Sequence, residues 1–351
     1  MSLFNVKGSE RISSLIKQAV ENGSRTAVVN GNWFIDKEIR IPDNFILCLE
    51  SCHLRMADGV YSNMFVNEHH DTEIGRTADG TDRNIIIEGN NAVLDGGNYN
   101  GLSEKNHSQN SMPPIWKNNL LLFTNVDGFR ISGLRCINQR WWALNFIYCC
   151  NGQLENIDFC SDDSWIDSDG TVNHGLIRGK YSEILIKNSD GIDIRQGCHH
   201  IDINNITGFT EDDTVALTGL DGTLEKSFSV CGKSSDICYI NITNVSSSAF
   251  CSNVRLLNQG GVKLHDILVD GVTDTSENCT HMDRGIYGVR LGDIHMYGER
   301  HSSVGETYNI TVRNVRSRGV SAVQLSGSVK NLKLENIMPF DGAAAIDDKR
   351  C

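Results

Sequence analysis

The sequence predicts an all-β fold, a single right-handed parallel β-helix of one continuous strand coil spanning residues 1–351, and three observations carry that expectation. An apolar-x-apolar-x-(Asn/Asp/Gly)-apolar pattern recurs at 201–206, 240–245, 267–272, 310–315 and 332–337, with a truncated copy at 154–157. A second pattern accompanies it: Ile192-Asp193-Ile194, Val215-Ala216-Leu217, Val254-Arg255-Leu256, Val289-Arg290-Leu291 and Val323-Gln324-Leu325. Units this short cannot bury their own apolar face, so they must stack. Third, 33 glycines against 4 prolines suit a chain with many tight turns whose strands cannot spare backbone donors.

The elements follow in order. Residues 10–25 carry Leu15, Ile16, Ala19 and Val20 at helical spacing and are expected to cap the open N-terminal end of the core, as a solenoid requires. From there coils of roughly 20–30 residues accumulate without a linker, which lets one domain reach this length. Residues 162–181 interrupt the repeat with polar sequence and read as a loop excursion near a cleft, bringing Trp165 and His174 with it. Asn205, Asn244, Asn314 and Asn336 recur at one place in the repeat and are expected to occupy equivalent turns, each amide bonded to the next coil. That ladder is structural.

Register places the chemistry. If Ile192, Val215, Val254 and Val289 are equivalent core positions, then Asp193, Ala216, Arg255, Arg290 and Gln324 form one outward column, and Asp190 and Asp213 share a second. Neighbouring parallel strands lie about 4.8 Å apart, close enough for the two acids to couple their titrations. Asp190, Asp212 and Asp213 are therefore the candidate catalytic residues: clustered carboxylates can divide the work of a proton donor and a water-activating base. Trp142, one coil or more earlier, is a candidate stacking platform for a substrate ring. His200 sits at a turn from which it could reach the cleft.

Composition narrows the partners. With 32 basic and 44 acidic residues the net charge is −12, which disfavours a nucleic-acid or anionic-membrane surface. No stretch is long and apolar enough to span a bilayer as a helix. No signal peptide is visible, but Met1-Ser2-Leu3 looks like an expression leader, so the expectation is a cytoplasmic protein if the chain is complete and a secreted or periplasmic one if a signal was removed. The 12 cysteines are scattered and are expected to be free thiols, since a long solenoid core needs no disulfide framework. No Cys-x-x-Cys pair or His-x-x-x-His cluster suggests a metal, so neither metal nor cofactor is expected. Oligomeric state is not legible.

At Asn188-Ser189-Asp190-Gly191 and Asp212-Asp213 the chain resembles the polygalacturonase-like enzymes of glycoside hydrolase family 28, pectin-active β-helices of the pectate-lyase type. The leading acids of the two motifs are 22 residues apart, one coil. The resemblance covers most of the chain, from 85–97 (IIIEGNNAVLDGG) through Trp141-Trp142 and the motif coils. It implies hydrolysis of galacturonate-type glycosides by an inverting mechanism, with Asp212 as proton donor and Asp190 and Asp213 activating water across roughly 6.5–9.5 Å. Arg255 matches the family arginine of Arg-Ile-Lys, and Asn188 and Arg290 join it, Trp142 and His200 as candidates for binding the carbohydrate substrate. Two motifs depart: no Gly-His-Gly follows Asp213, where the chain runs through Cys231-Gly232-Lys233, and Leu257 stands where the lysine would be. A β-helix lyase or epimerase and a non-catalytic carbohydrate-binding β-helix are the alternative readings.

Overall fold

The structure, a computed structural model, describes residues 4–97, 117–139, 142–161, 164–166, 172–174, 190–220, 226–259, 261–292 and 302–350. Two ten-stranded sheets run the length of the molecule. One is built of longer strands, from Thr26–Ile35 to Lys330–Pro339, and the other of shorter ones, from Ile39–Ile41 to Ala344–Asp348. The chain alternates between them, and each strand pairs in parallel with its counterpart one coil on, which makes a right-handed parallel β-helix.

Alternation drives the coil. In the short-strand sheet Ile192, Val215, Val254, Val289 and Val323 stack in register and are fully buried, so each contributes about 1.5–3 kcal/mol of burial to the core. The expected outward column holds as well: Asp193, Ala216, Arg255, Arg290 and Gln324 are successive partners. Gly8–Glu21 forms the cap helix, two residues earlier than the spacing suggested. Ile12, Ile16 and Ala19 are its buried face, while Leu15 and Val20 pack at the margin.

The asparagine turns are equivalent but the ladder is interrupted. Asn156, Asn205, Asn244, Asn314 and Asn336 all lie at positive φ between 51° and 56°, a conformation that asparagine tolerates better than most residues. Asn336 donates to Asn314 at 2.7 Å, as expected, and Asn205 donates at 2.7 Å to Asn156, which extends the row by one coil. Asn244 instead donates to Asn204 Oδ1 at 2.8 Å. In the following coil Gly271, with φ 82°, takes the turn position without a side chain, and Asn314 turns to Asp270 Oδ1 at 2.7 Å.

Two segments leave the solenoid. Ser164–Ile166 and Val172–His174 pair antiparallel with each other rather than with either sheet, inside the predicted excursion; the remainder of 162–181 lies outside the described residues. After Asp213 the coil is rebuilt: residues 226–236 fold back toward the N-terminal coils. Lys233 Nζ donates to Asn125 Oδ1 at 2.6 Å and Thr81 Oγ1 at 3.1 Å, and Cys231 N to Arg76 O at 2.9 Å. Phe228 and Val230 thereby cover Val66 and Leu122 on the outer face of the short-strand sheet. The eleven described cysteines are free thiols.

Candidate active site

The site forms where two coils of the short-strand sheet begin. Asp190 opens the strand Asp190–Arg195, and Asp212 and Asp213 occupy the turn into Val215–Gly219. Gly191 N donates to Asp213 O at 3.0 Å and Ile192 N to Thr214 O at 2.9 Å, so Asp190 and Asp213 are neighbours across the coil step. Asp213 N then donates to Asp190 Oδ1 at 2.8 Å, which fixes the first carboxylate against the second acid's backbone. Gly191 is required for this approach: a Cβ there would lie 2.4 Å from Thr214 O and 2.9 Å from the Phe159 ring.

A buried polar network fixes the turn itself. The Thr210 and Thr214 hydroxyls are 3.0 Å apart, Thr214 and Ser247 hydroxyls 2.9 Å, and Asn253 Nδ2 donates to Ser247 O and Oγ at 2.6 and 2.9 Å. Asp212 O accepts from Cys251 N at 3.3 Å. Such satisfied networks rigidify a unique geometry.

One oxygen from each of Asp190, Asp212 and Asp213 lies within 4.8 Å of the others. That is tighter than the roughly 6.5–9.5 Å expected of an inverting pair. Adjacent residues on adjacent coils have little freedom to spread further, because the coil step sets their spacing. Three convergent carboxylates could also enclose a cation, as could Glu38, His70 and Asp71. The sequence suggested no metal cluster because these ligands are assembled by coiling rather than by local spacing.

Electrostatics separates the acids. Asp190, 6 % exposed, is pushed well above the ordinary carboxylate range, first by burial and then by the charges of Asp193, Asp212 and Asp213. Asp213 is raised by burial, against the opposing pull of Arg255, the Ser252 hydroxyl and Arg290. Arg255 is buried, with Nη1 donating to Gly292 O, and it is the strongest favourable charge on Asp213. Arg290 sits one coil on, over the Tyr287 ring at 5.4 Å. Leu257, in place of the expected lysine, is buried.

These shifts have a consequence for stability. The folded values of Asp190 and Asp213 are raised, so the native state holds protons that the unfolded chain releases near pH 3.9. The stability from this source is fully present below that unfolded value and lost as pH rises through the folded ones. Asp190→Asn keeps the acceptor for Asp213 N but removes the buried charge. Its urea midpoint should exceed that of the wild type at pH 7 and match it near pH 3; equal midpoints at both pH values would show that Asp190 is not held protonated by the fold.

Other expected site residues fare differently. Trp142 is Asp190's partner in the preceding coil, but its ring carries the Arg195 guanidinium at 3.8 Å and packs with Leu122, Tyr148 and Phe228. At 7 % exposure it is a packed residue rather than an open sugar platform. His200 does not reach the acids. The strand of Asp190–Arg195 carries the chain roughly 20 Å across the coil before His200 is reached. There its ring lies 4.7 Å from Tyr239 at the opposite turn. Asn188 and Trp141 lie outside the described residues, and only the backbone is described for Trp165 and His174. Two charged residues near the acids were not among the candidates: Arg195, which donates to Asp193 Oδ1 at 3.2 Å, and Glu211, fully buried beside the acid pair. For Arg195 the signal was available, since residues 193 and 195 alternate with the core positions Ile192 and Ile194.

No family model matches this chain, and no curated protein matches it in sequence. Solved structures do share its fold. A hyperthermoactive exopolygalacturonase from Thermotoga maritima is 14% identical with a TM-score of 0.54, over 93% of this chain and 82% of that one. An endo-xylogalacturonan hydrolase from Aspergillus tubingensis is 14% identical with a TM-score of 0.52, over 98% and 99%. The A-module of a mannuronan C-5 epimerase from Azotobacter vinelandii is 12% identical with a TM-score of 0.53, over 95% and 73%. At these identities the likeness establishes the parallel β-helix, a fold used by carbohydrate-active proteins.

Proposed function

We propose that the chain is a glycoside hydrolase acting on pectin-derived or related galacturonate-type saccharides. The observation that carries this reading is the meeting of Asp190, Asp212 and Asp213, with one oxygen of each inside 4.8 Å, at the start of two successive coils of the short-strand sheet with Arg255 and Arg290 acting on Asp213. Asp212 donates the proton to the leaving oxygen. In the reactive form the cluster's proton rests on Asp212, which leaves Asp190 and Asp213, tied by the 2.8 Å backbone bond, ionised to activate the water. Burial and mutual repulsion keep a proton in the cluster at a pH where isolated aspartates have lost it, as acid/base hydrolysis requires. Arg255 and Arg290 offer positive charge to an acidic sugar in the absence of the family lysine. The polygalacturonase and xylogalacturonan hydrolase folds support the substrate class.

The same three carboxylates favour one second reading, a cation-assisted uronate epimerase or lyase, because their oxygens could surround an ion and an epimerase shares the fold. Incubation with pectic, alginate and neutral polysaccharides, with and without chelator, separates the two. New saturated reducing ends, unaffected by chelation, are the expected result. Unsaturated uronates, or a changed uronate configuration without chain cleavage, would replace hydrolysis with the second reading, and binding without turnover would leave a carbohydrate-binding protein. NMR of the first-formed anomer assigns inversion or retention, which the tight acid spacing leaves to measurement.

A further inference from the structure

A second constellation lies far from the acids, at the N-terminal end of the short-strand sheet. Glu38 immediately precedes the strand Ile39–Ile41, and His70 and Asp71 follow the strand Phe65–Asn67 one coil on. His70 is only 5 % exposed; its Nδ1 is buried without a hydrogen-bond partner, and its Nε2 meets no described residue at hydrogen-bond distance. Its Nε2 points at Glu38 Oε2, 3.9 Å away, and Asp71 Oδ2, 4.0 Å away. Both separations exceed a hydrogen bond. An unbonded buried imidazole facing two carboxylate oxygens calls for a partner.

Arg40 orients the carboxylates without using those oxygens. Its Nη2 donates to Glu38 Oε1 at 2.7 Å and to Asp71 Oδ1 at 2.8 Å, which leaves Oε2 and Oδ2 turned toward the imidazole. This is the outer-shell support typical of metal ligands. The ring stacks on Phe228 at 5.7 Å and 22°, so the segment folded back from 226–236 closes over it.

We propose that Glu38, His70 and Asp71 bind one divalent transition-metal cation of the zinc, cobalt or nickel class, and that the ion staples the first two coils beneath the folded-back segment. The three ligand atoms lie within 4.8 Å of one another. With separations of 3.9 and 4.0 Å from His70 Nε2 and at most 4.8 Å between the atoms, an ion at their common centre sits no more than about 2.5 Å from each, so a small inward movement brings them to zinc distances of about 2.0–2.2 Å. One imidazole with two carboxylates suits this class better than calcium or magnesium, which prefer all-oxygen sites. Two carboxylates and Arg40 leave one net negative charge about a neutral His70, with Lys117 a further positive charge nearby.

The test uses the full chain after chelator treatment, titrated with zinc chloride by calorimetry and with cobalt chloride by visible absorption. One ion per chain is expected, with a zinc-dependent rise in melting temperature. Affinity should fall roughly tenfold or more in His70→Ala and in Glu38→Gln and be unchanged in Asp190→Asn. Glu38 is partly exposed, so its variant keeps the test open if His70→Ala does not fold. In the wild type, cobalt d–d bands of four- or five-coordinate intensity support the site. Absence of binding, or binding that survives Glu38→Gln and disappears in Asp190→Asn, overturns the proposal; the latter places the ion on the acidic cluster instead.

Discussion

Asp212→Asn should reduce turnover of the natural glycoside by about 10²–10⁴-fold, the usual contribution of a positioned general acid. The amide is nearly isosteric but cannot supply the proton, while the turn remains pinned through the Asp212 carbonyl, which accepts from Cys251 N. Folding and saccharide affinity should therefore change little. An aryl glycoside whose leaving group needs little protonation should recover much of the lost rate. Asp190→Asn and Asp213→Asn remove the groups proposed to activate water, so they should impair both substrates alike. Full activity of Asp212→Asn on the natural substrate would exclude it as the acid, and rescue of Asp190→Asn instead would transfer the donor role to that residue.

Gly191→Ala should damage stability and rate together. The added methyl would sit 2.4 Å from a backbone oxygen, Thr214 O, which cannot swing aside as a flexible side chain can, and against the buried Phe159 ring. Overpacking of this kind costs about 1–3 kcal/mol. The coil step between the strands beginning at Asp190 and Val215 must widen, and that step sets the distance between Asp190 and Asp213. A displacement near 1 Å at a catalytic group costs about 10²-fold in rate. Thermal unfolding and kinetics on the same preparation check this. A stable variant of normal activity would mean that the coil spacing does not position the acids.

Some of this was legible before any coordinates. Ile192, Val215, Val254 and Val289 recur with the same apolar spacing, and a strand has a period of two, so naming the core column also named the outward one that holds Asp193, Arg255 and Arg290. The Asn-x-Asp-Gly and Asp-Asp motifs, one coil apart, could be placed together on the same ground. The asparagine turns were likewise readable, because the left-handed conformation selects for that side chain. Their bonding was not, since Asn244 chooses Asn204 and Gly271 breaks the column.

Local periodicity alone carried the parallel β-helix, its cap, its register and the juxtaposition of Asp190 with Asp213. Tertiary structure decided the rest. Trp142 is packed under Arg195, His200 stands at the opposite turn, and residues 226–236 travel back over earlier coils to cover Val66, Leu122 and His70. Glu38 meets His70 and Asp71 only across a coil step. These outcomes depend on where an irregular loop runs and on which side chain fills a given space on the sheet's outer face. A repeat pattern encodes neither, because a loop's path is set by the surface it finds to cover, and that surface exists only once the coils have stacked.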